Sequence, residues 1–328
     1  MKRIIIMATC IASAVMLASC GGKSTGTANE VLSKKAFSAV IAKYENVGDF
    51  YDGVAVVSMG RNNYGLIDNK GKEIVACNYK YIENSSCGMV KFRDDSGYGF
   101  MNTKGEMVVE SGKYENIADF TDNLACVEKD DLWGYIDNKG NEVIPCTFDR
   151  AYGFSEGLAL VLKSNKYGYV NTKGEFVVAP SYDDGEHFSC GVAITSKGKK
   201  EYVINSEGTV VFSIDNDKSV FLEEHYSDNL IPVLKEQGRK MVVGFINTKG
   251  EEAIPFEYQY ALGFIDGTAL AMKDNKVYTI NTKGEILGEE TSTDILMDFL
   301  EEAEYFCEFT DDVLIKLLGE ELYEEEWY

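Results

Sequence analysis

Histidine is almost missing from this chain: His187 and His225 are the only two in 328 residues. No Ser or Asp recurs at a spacing that would pair with either as nucleophile or orienting group, so a hydrolase or other enzyme is disfavoured. Basic residues are also scarce. Lys and Arg number 32 against 54 Asp and Glu, a formal charge of −22. Nucleic-acid binding needs clustered cations that displace counterions, and is excluded on this balance. Cysteine is present, but none of the eight stands at metal-ligand spacing such as CxxC, which argues against zinc. Long apolar runs are missing after residue 17, and the run over residues 4–17 is shorter than the roughly 20 residues a bilayer span needs.

What the chain does have is a repeated heptapeptide. Gly134-Tyr135-Ile136-Asp137-Asn138-Lys139-Gly140 is one of seven near-copies. Their Asp or Asn residues are Asp68, Asn102, Asp137, Asn171, Asn205, Asn247 and Asn281, separated by 34, 35, 34, 34, 42 and 34 residues. A period so regular is the signature of a repeat architecture. Within a repeat the apolar runs are short and rich in Val, Ile and Tyr, as in Leu158-Ala159-Leu160-Val161-Leu162, which is strand chemistry rather than helix chemistry. Each unit is expected to hold three strands.

The Asp/Asn-to-Gly segments read as type I turns followed by a bulge. The Asx side chain bonds the backbone two residues on, and the glycine accepts positive φ. This assigns a structural turn role to Asp68 and Gly71, Asn102 and Gly105, Asp137 and Gly140, Asn171 and Gly174, Asn247 and Gly250, and Asn281 and Gly284. Calcium is the competing reading, but lysines inside six of the turns and the lack of a recurring acidic triad count against it. No metal or other cofactor is expected.

Gly65, Gly99, Gly134, Gly168 and Gly244 each follow a large residue, the first four an aromatic. A glycine inside a strand suggests that a neighbouring backbone comes close. Tyr202 and Tyr278 replace it in repeats five and seven, so those two units are expected to be distorted or peripheral. Tyr98, Trp133 and Tyr167 are the candidate surface-binding aromatics, with core packing as the plainer alternative.

These residues resemble the WG-repeat family, whose unit reads roughly F-x-x-G-L-A-x-V, W-G-Y-I-D-x-x-G and V-I-P-x-x-Y/F. The first part appears here as Phe154/Gly157/Ala159 and the last as Ile144-Pro145 with Phe148. The match spans residues 35–287. Trp survives only at Trp133, and Ser85 replaces the first Phe of repeat two. The resemblance transfers no catalytic residue. It implies an all-β repeat fold of seven three-stranded units of about 34 residues, a seven-bladed propeller-like array being favoured over an open β-solenoid of hairpins. The segment from Phe37 to Asn46 is expected to complete the last blade, and residues 216–225 read as a loop insertion.

The ends differ from the middle. Lys2, Arg3, the apolar run and Leu17-Ala18-Ser19-Cys20 read as a signal peptide over residues 1–19. Leu-Ala-Ser-Cys resembles the lipobox of bacterial lipoproteins. That resemblance implies cleavage before Cys20, acylation of its thiol, and attachment to the envelope, at the outer membrane because Gly21 is not Asp. Residues 20–34 then form a flexible tether. Residues 288–328 form an acidic tail of two short amphipathic helices, one starting at residues 291–294 and one over residues 313–318. From residue 285 onward there are sixteen acids against the single Lys316. Cys77, Cys87, Cys126, Cys146, Cys190 and Cys307 remain after processing and read as small buried side chains, with disulfides between repeats disfavoured. The expected function is a non-catalytic envelope lipoprotein that binds a protein partner as a scaffold. A glycan or peptidoglycan binder using the Tyr-rich slots is the alternative, and a hydrolase is a distant third.

Overall fold

The structure, a computed structural model, describes residues 42–216, 219–238 and 240–304. Cys20, the signal and tether segments, and the second tail helix lie outside the described residues. Among the described residues, 28 strands form seven four-stranded sheets, each built from consecutive strands. The chain divides into two compact units, residues 1–180 and 181–328.

In sheet 4, Arg150–Ser155 pairs with Leu158–Lys163, which pairs with Lys166–Asn171, followed by Phe176–Tyr182. The unit therefore has four strands and not the three expected. Arg150–Ser155, the stretch carrying Phe154, is itself a strand in register with the next one, through Phe154 opposite Ala159 and Ser155 opposite Leu158. A two-residue turn joins them, with both Glu156 and Gly157 at positive φ. Asp122-Asn123, Cys190-Gly191, Asp228-Asn229 and Asp266-Gly267 form the same kind of turn, whose backbone twist matches that of a hairpin. A four-stranded antiparallel meander is the unit from which propellers are made.

All seven heptapeptide turns form as the sequence implied. The glycine N–H donates to the Asx carbonyl at 2.8–2.9 Å in every copy, at φ between +72° and +80°. Each Asx side-chain oxygen also accepts two backbone N–H groups, as Asp137 does from Lys139 and Asn141, both at 2.9 Å. The turns also touch the preceding sheet. A Cβ on Gly140 would stand 2.6 Å from the Val108 carbonyl oxygen, and one on Gly174 3.1 Å from Ile144.

Within each unit the core lies between consecutive sheets. In the first unit, Tyr135 and Phe148 of sheet 3 pack with Phe154, Val161 and Val170 of sheet 4. An aromatic of one third strand meets the first-strand Phe of the next sheet at Phe100–Phe120 and Tyr135–Phe154, both with ring centroids 4.8 Å apart. In the second unit Phe245–Phe264 repeats the contact at 5.0 Å. Burying one such ring contributes about 1.5–3 kcal/mol. The second strands are buried on both faces, which explains why Leu158 to Leu162 reads as an unbroken apolar run.

The in-strand glycines mark a bulge. In sheet 3, Trp133 faces Phe148 while Tyr135, two residues on, faces Ile144, four residues back, so the fourth strand carries two extra residues over Gly134. A Cβ on Gly134 would stand 2.5 Å from the Ile144 carbonyl oxygen and 2.6 Å from the Cys146 nitrogen. Repeats five and seven reverse the expectation of distortion. Tyr202 pairs with Ser213 and Tyr278 with Glu289 in unbroken local register. Without the glycine there is no room for the bulge, and the strands run straighter.

Two further expectations change. Residues from Lys43 onward join sheet 1 and not the last sheet: Glu45 N–H donates to Ser58, Asn46–Tyr51 is the first strand, and Tyr44 packs with Ala55, Val57 and Ile67. Residues 219–221, within the presumed loop insertion, form a strand facing residues 233–235. Some of the added length lies in the eight-residue strands Leu230–Gln237 and Lys240–Asn247. The first tail helix is present over Thr293–Glu304, and its Phe299 sits edge-on to Tyr260 of sheet 7 at 5.6 Å.

Candidate binding surfaces

The predicted turn residues occupy the turn slots, and a second set of acids, in the turns between first and second strands, has a different task. Asp52 accepts from Gly88 N–H at 3.0 Å and from the Ser85 hydroxyl at 2.8 Å. Asp122 accepts from Gly157 N–H at 2.9 Å, and Asp228 from Gly267 N–H at 2.8 Å. Each acid sits in a first-to-second-strand turn and holds the equivalent turn of the next repeat. Sequence reasoning missed these staples, although the recurrence of an acid before Gly or Asn in that slot was visible. Where cysteine replaces the acid, the neighbouring Ser takes over: Ser86 donates to the Phe120 carbonyl at 2.8 Å and Ser189 to the Tyr226 carbonyl at 2.7 Å.

Cys77, Cys126, Cys146 and Cys190 are free thiols. Burial pushes the Cys126 thiol up to about 12, which keeps it unreactive. Cys87 departs from the expectation for the group, since it is disulfide-bonded. It occupies a turn and not a strand, and is only half-buried.

Tyr98, Trp133 and Tyr167 are all half-buried, each on a third strand just before the bulge glycine. They do not form one site. Trp133 packs on the core between sheets 3 and 4, and Tyr167 meets Tyr152 at 6.4 Å. Tyr98 instead lines a groove with Tyr64 and Tyr81.

A second surface emerges from the fourth strands, each at one edge of its sheet. Their opening residues are Glu73, Met107, Glu142, Phe176, Val210, Glu252 and Ile286. The four apolar members, Met107 and Phe176 in the first unit and Val210 and Ile286 in the second, are 42–53% exposed. Val143, Val211 and Leu287 follow in the next slot and are exposed as well. Single exposed apolar residues need no explanation, but within each unit these recur at the same slot of the fourth strand.

Among the described residues no group of three or more His, Cys, Asp or Glu side chains could hold a metal ion, and no helix is long and apolar enough to cross a membrane. His225 is exposed in the segment before Tyr226. The most perturbed carboxyl, Glu186, is pushed up to about 7 by burial and then by Glu224 and Asp184.

Consecutive four-stranded sheets joined through repeated structural turns define an all-β repeat scaffold. The chain belongs to the WG containing repeat family, whose model matches residues 39–62, 64–96, 98–133, 133–167, 167–200 and 244–276, more than half of its length. No curated protein matches it in sequence. Solved structures with similarity include a eukaryotic initiation factor, at 12% identity over 75% of this chain and 78% of that one with a TM-score of 0.44. Hsv2p of Kluyveromyces lactis matches at 11% identity over 75% and 99% with a TM-score of 0.40. The computationally designed Ika8 protein matches at 11% identity over 74% and 85% with a TM-score of 0.38.

Proposed function

We propose that this chain is a non-catalytic binding module of the bacterial envelope, tethered through lipid on Cys20 at the outer membrane, whose repeat surface engages a protein partner. The observation that supports this reading is the row of exposed apolar side chains that opens the fourth strands, Met107 and Phe176 in one unit and Val210 and Ile286 in the other. Phe176 spends part of its ring on Phe148, which it meets edge-on at 6.0 Å, and leaves the rest exposed. Glu73, Glu142 and Glu252 fill the same slot in the other three repeats, so the slot itself does not demand an apolar residue. An exposed apolar strand edge gains free energy when a partner covers it.

The test is cross-linking in intact cells followed by capture of the wild-type chain and of a Met107→Glu, Phe176→Glu double variant. The reading expects one partner species recovered with the wild type, lost with the double variant, and retained with a control change at exposed Met59. Equal recovery with the double variant overturns it. Lipid attachment is tested separately, by metabolic labelling with a fatty-acid analogue. Cys20→Ala should abolish labelling and release the chain from the membrane fraction.

A further inference from the structure

We propose that the first two repeats carry a binding site for a carboxylate-bearing saccharide, separate from the apolar row. A groove of about 340 Å³ is lined by Asn62, Tyr64, Lys80, Tyr81, Arg93 and Tyr98. Its volume falls at the lower end of small-molecule sites. The lining is set by strand register. Arg93 faces Tyr81 on one side and Tyr98 on the other, so the three side chains form one cross-strand row of sheet 2. The guanidinium carbon lies 5.3 Å from the centre of the Tyr98 ring, and Tyr64, from sheet 1, meets Tyr81 edge-on with centroids 5.8 Å apart.

The charge of this groove runs against the charge of the molecule. On a chain of formal charge −22, its lining holds two cations and no acid. Among the described residues Arg93 has no carboxylate within ion-pair distance. Lys80 pairs with Asp95 at 2.5 Å and also lies near Asp94, so its charge is partly met within the chain, and Arg93 is the cation the groove leaves to a ligand. The fold does not call for arginine here either. The residue paired with the same third-strand slot is Ser58, Glu128, Leu162, Thr195, Leu234 and Ala271 in the other six repeats.

These groups suit one ligand chemistry. Tyrosine rings offer faces for the C–H surface of a pyranose, and their hydroxyls with the Asn62 amide can serve its hydroxyls. A guanidinium held over a ring presents a planar fork that donates two N–H bonds to a carboxylate, with the Lys80 ammonium adding charge. A neutral sugar would leave that fork without its anion, and a bare phosphate would leave the rings without a partner.

The experiment is calorimetric titration of the full chain with a digalacturonate, with the matching neutral disaccharide, and with inorganic phosphate, at low and at physiological salt. The digalacturonate should bind, at least about tenfold more tightly than either of the other two, and more weakly as salt rises. Arg93→Ala and, separately, Tyr98→Ala should each weaken it by about tenfold or more, and Arg93→Lys by less, because a point charge keeps the attraction but loses the fork. Since Arg93 is an exposed strand residue, Arg93→Gln with an unchanged circular dichroism spectrum guards against misfolding as the cause. Absence of digalacturonate binding at millimolar concentration, equal binding of the neutral sugar or of phosphate, or wild-type affinity in Arg93→Gln would each overturn the site. Loss of the protein partner in the Phe176 variant with digalacturonate binding retained would separate the two surfaces.

Discussion

The same Gly-to-Ala substitution should be opposite in sign at two strand positions, one at a bulge and one outside it. Gly168 lies in Lys166–Asn171, and a Cβ there would stand 2.5 Å from the Val178 carbonyl oxygen and 2.8 Å from the Pro180 nitrogen. Both are backbone atoms of the paired strand, so neither can rotate away; the bulge must open or the strands must part. Gly168→Ala should therefore cost what forced overpacking costs, about 1–3 kcal/mol. Gly288, in Ile286–Glu289, has no atom within 4 Å of its built Cβ and no positive φ. There Ala should stabilise by roughly 0.5–1 kcal/mol, because glycine loses more backbone freedom on folding. At about 2–4 °C per kcal/mol for a chain of this size, the two variants should melt on opposite sides of the wild type, separated by several degrees. Scanning calorimetry with urea denaturation reads both. A neutral or stabilised Gly168→Ala would refute the claim that backbone proximity is why glycine precedes the third-strand core. A destabilised Gly288→Ala would refute the claim that space decides the sign.

The staple acids should be sensitive to truncation and tolerant of amidation. Asp122→Ala leaves the Gly157 N–H without its charged acceptor and should cost about 1.5–3 kcal/mol by urea denaturation, whereas Asp122→Asn keeps an acceptor oxygen and suits the positive φ of 48°. The Asx turns should be individually weaker: Asp137→Ala loses two exposed backbone contacts and should cost about 0.5–1.5 kcal/mol. The Glu186 carboxyl, raised to about 7 by burial and by Glu224 and Asp184, holds its proton more tightly folded than unfolded. Its contribution is thus fully present below the unfolded pKa of about 4.3 and is lost as pH rises through about 7. Melting of the 181–328 unit should fall between pH 5 and pH 8, and Glu186→Gln should reduce that fall; an unchanged pH profile would contradict the assignment. Cys126, buried with its thiol pushed up to about 12, should resist thiol reagents until the chain unfolds, as timed labelling in urea would record.

Much of the local structure was legible because its causes are local. The Asx side chain of each turn bonds N–H groups two and four residues on, and the turn glycine bonds back three residues, so Asp137-Asn138-Lys139-Gly140 carries its own instruction. The bulge glycines announced a close backbone approach. Their replacement by Tyr202 and Tyr278 was misread as distortion, since the width of the fourth strand cannot be judged from the third. The first strand of each sheet was hidden for a related reason: Arg150–Ser155 has no apolar alternation of its own and is a strand only because Leu158–Lys163 pairs with it. At the candidate sites, Tyr98 was identified as an aromatic of interest, but Tyr64, Tyr81 and Arg93 were not joined to it.

The sequence by itself determined the period, the all-β class, the turn chemistry and the number of units, because each depends on hydrogen bonds and side-chain preferences within a few residues. The tertiary structure alone decided which acid holds the next repeat, which aromatics share a groove, and which apolar residues stay exposed on strand edges. Those outcomes depend on contacts such as Gly157 with Asp122, 35 residues apart, and on which face of a strand a neighbouring sheet covers. A period brings such residues to equivalent places, but only packing determines whether they meet each other or the solvent.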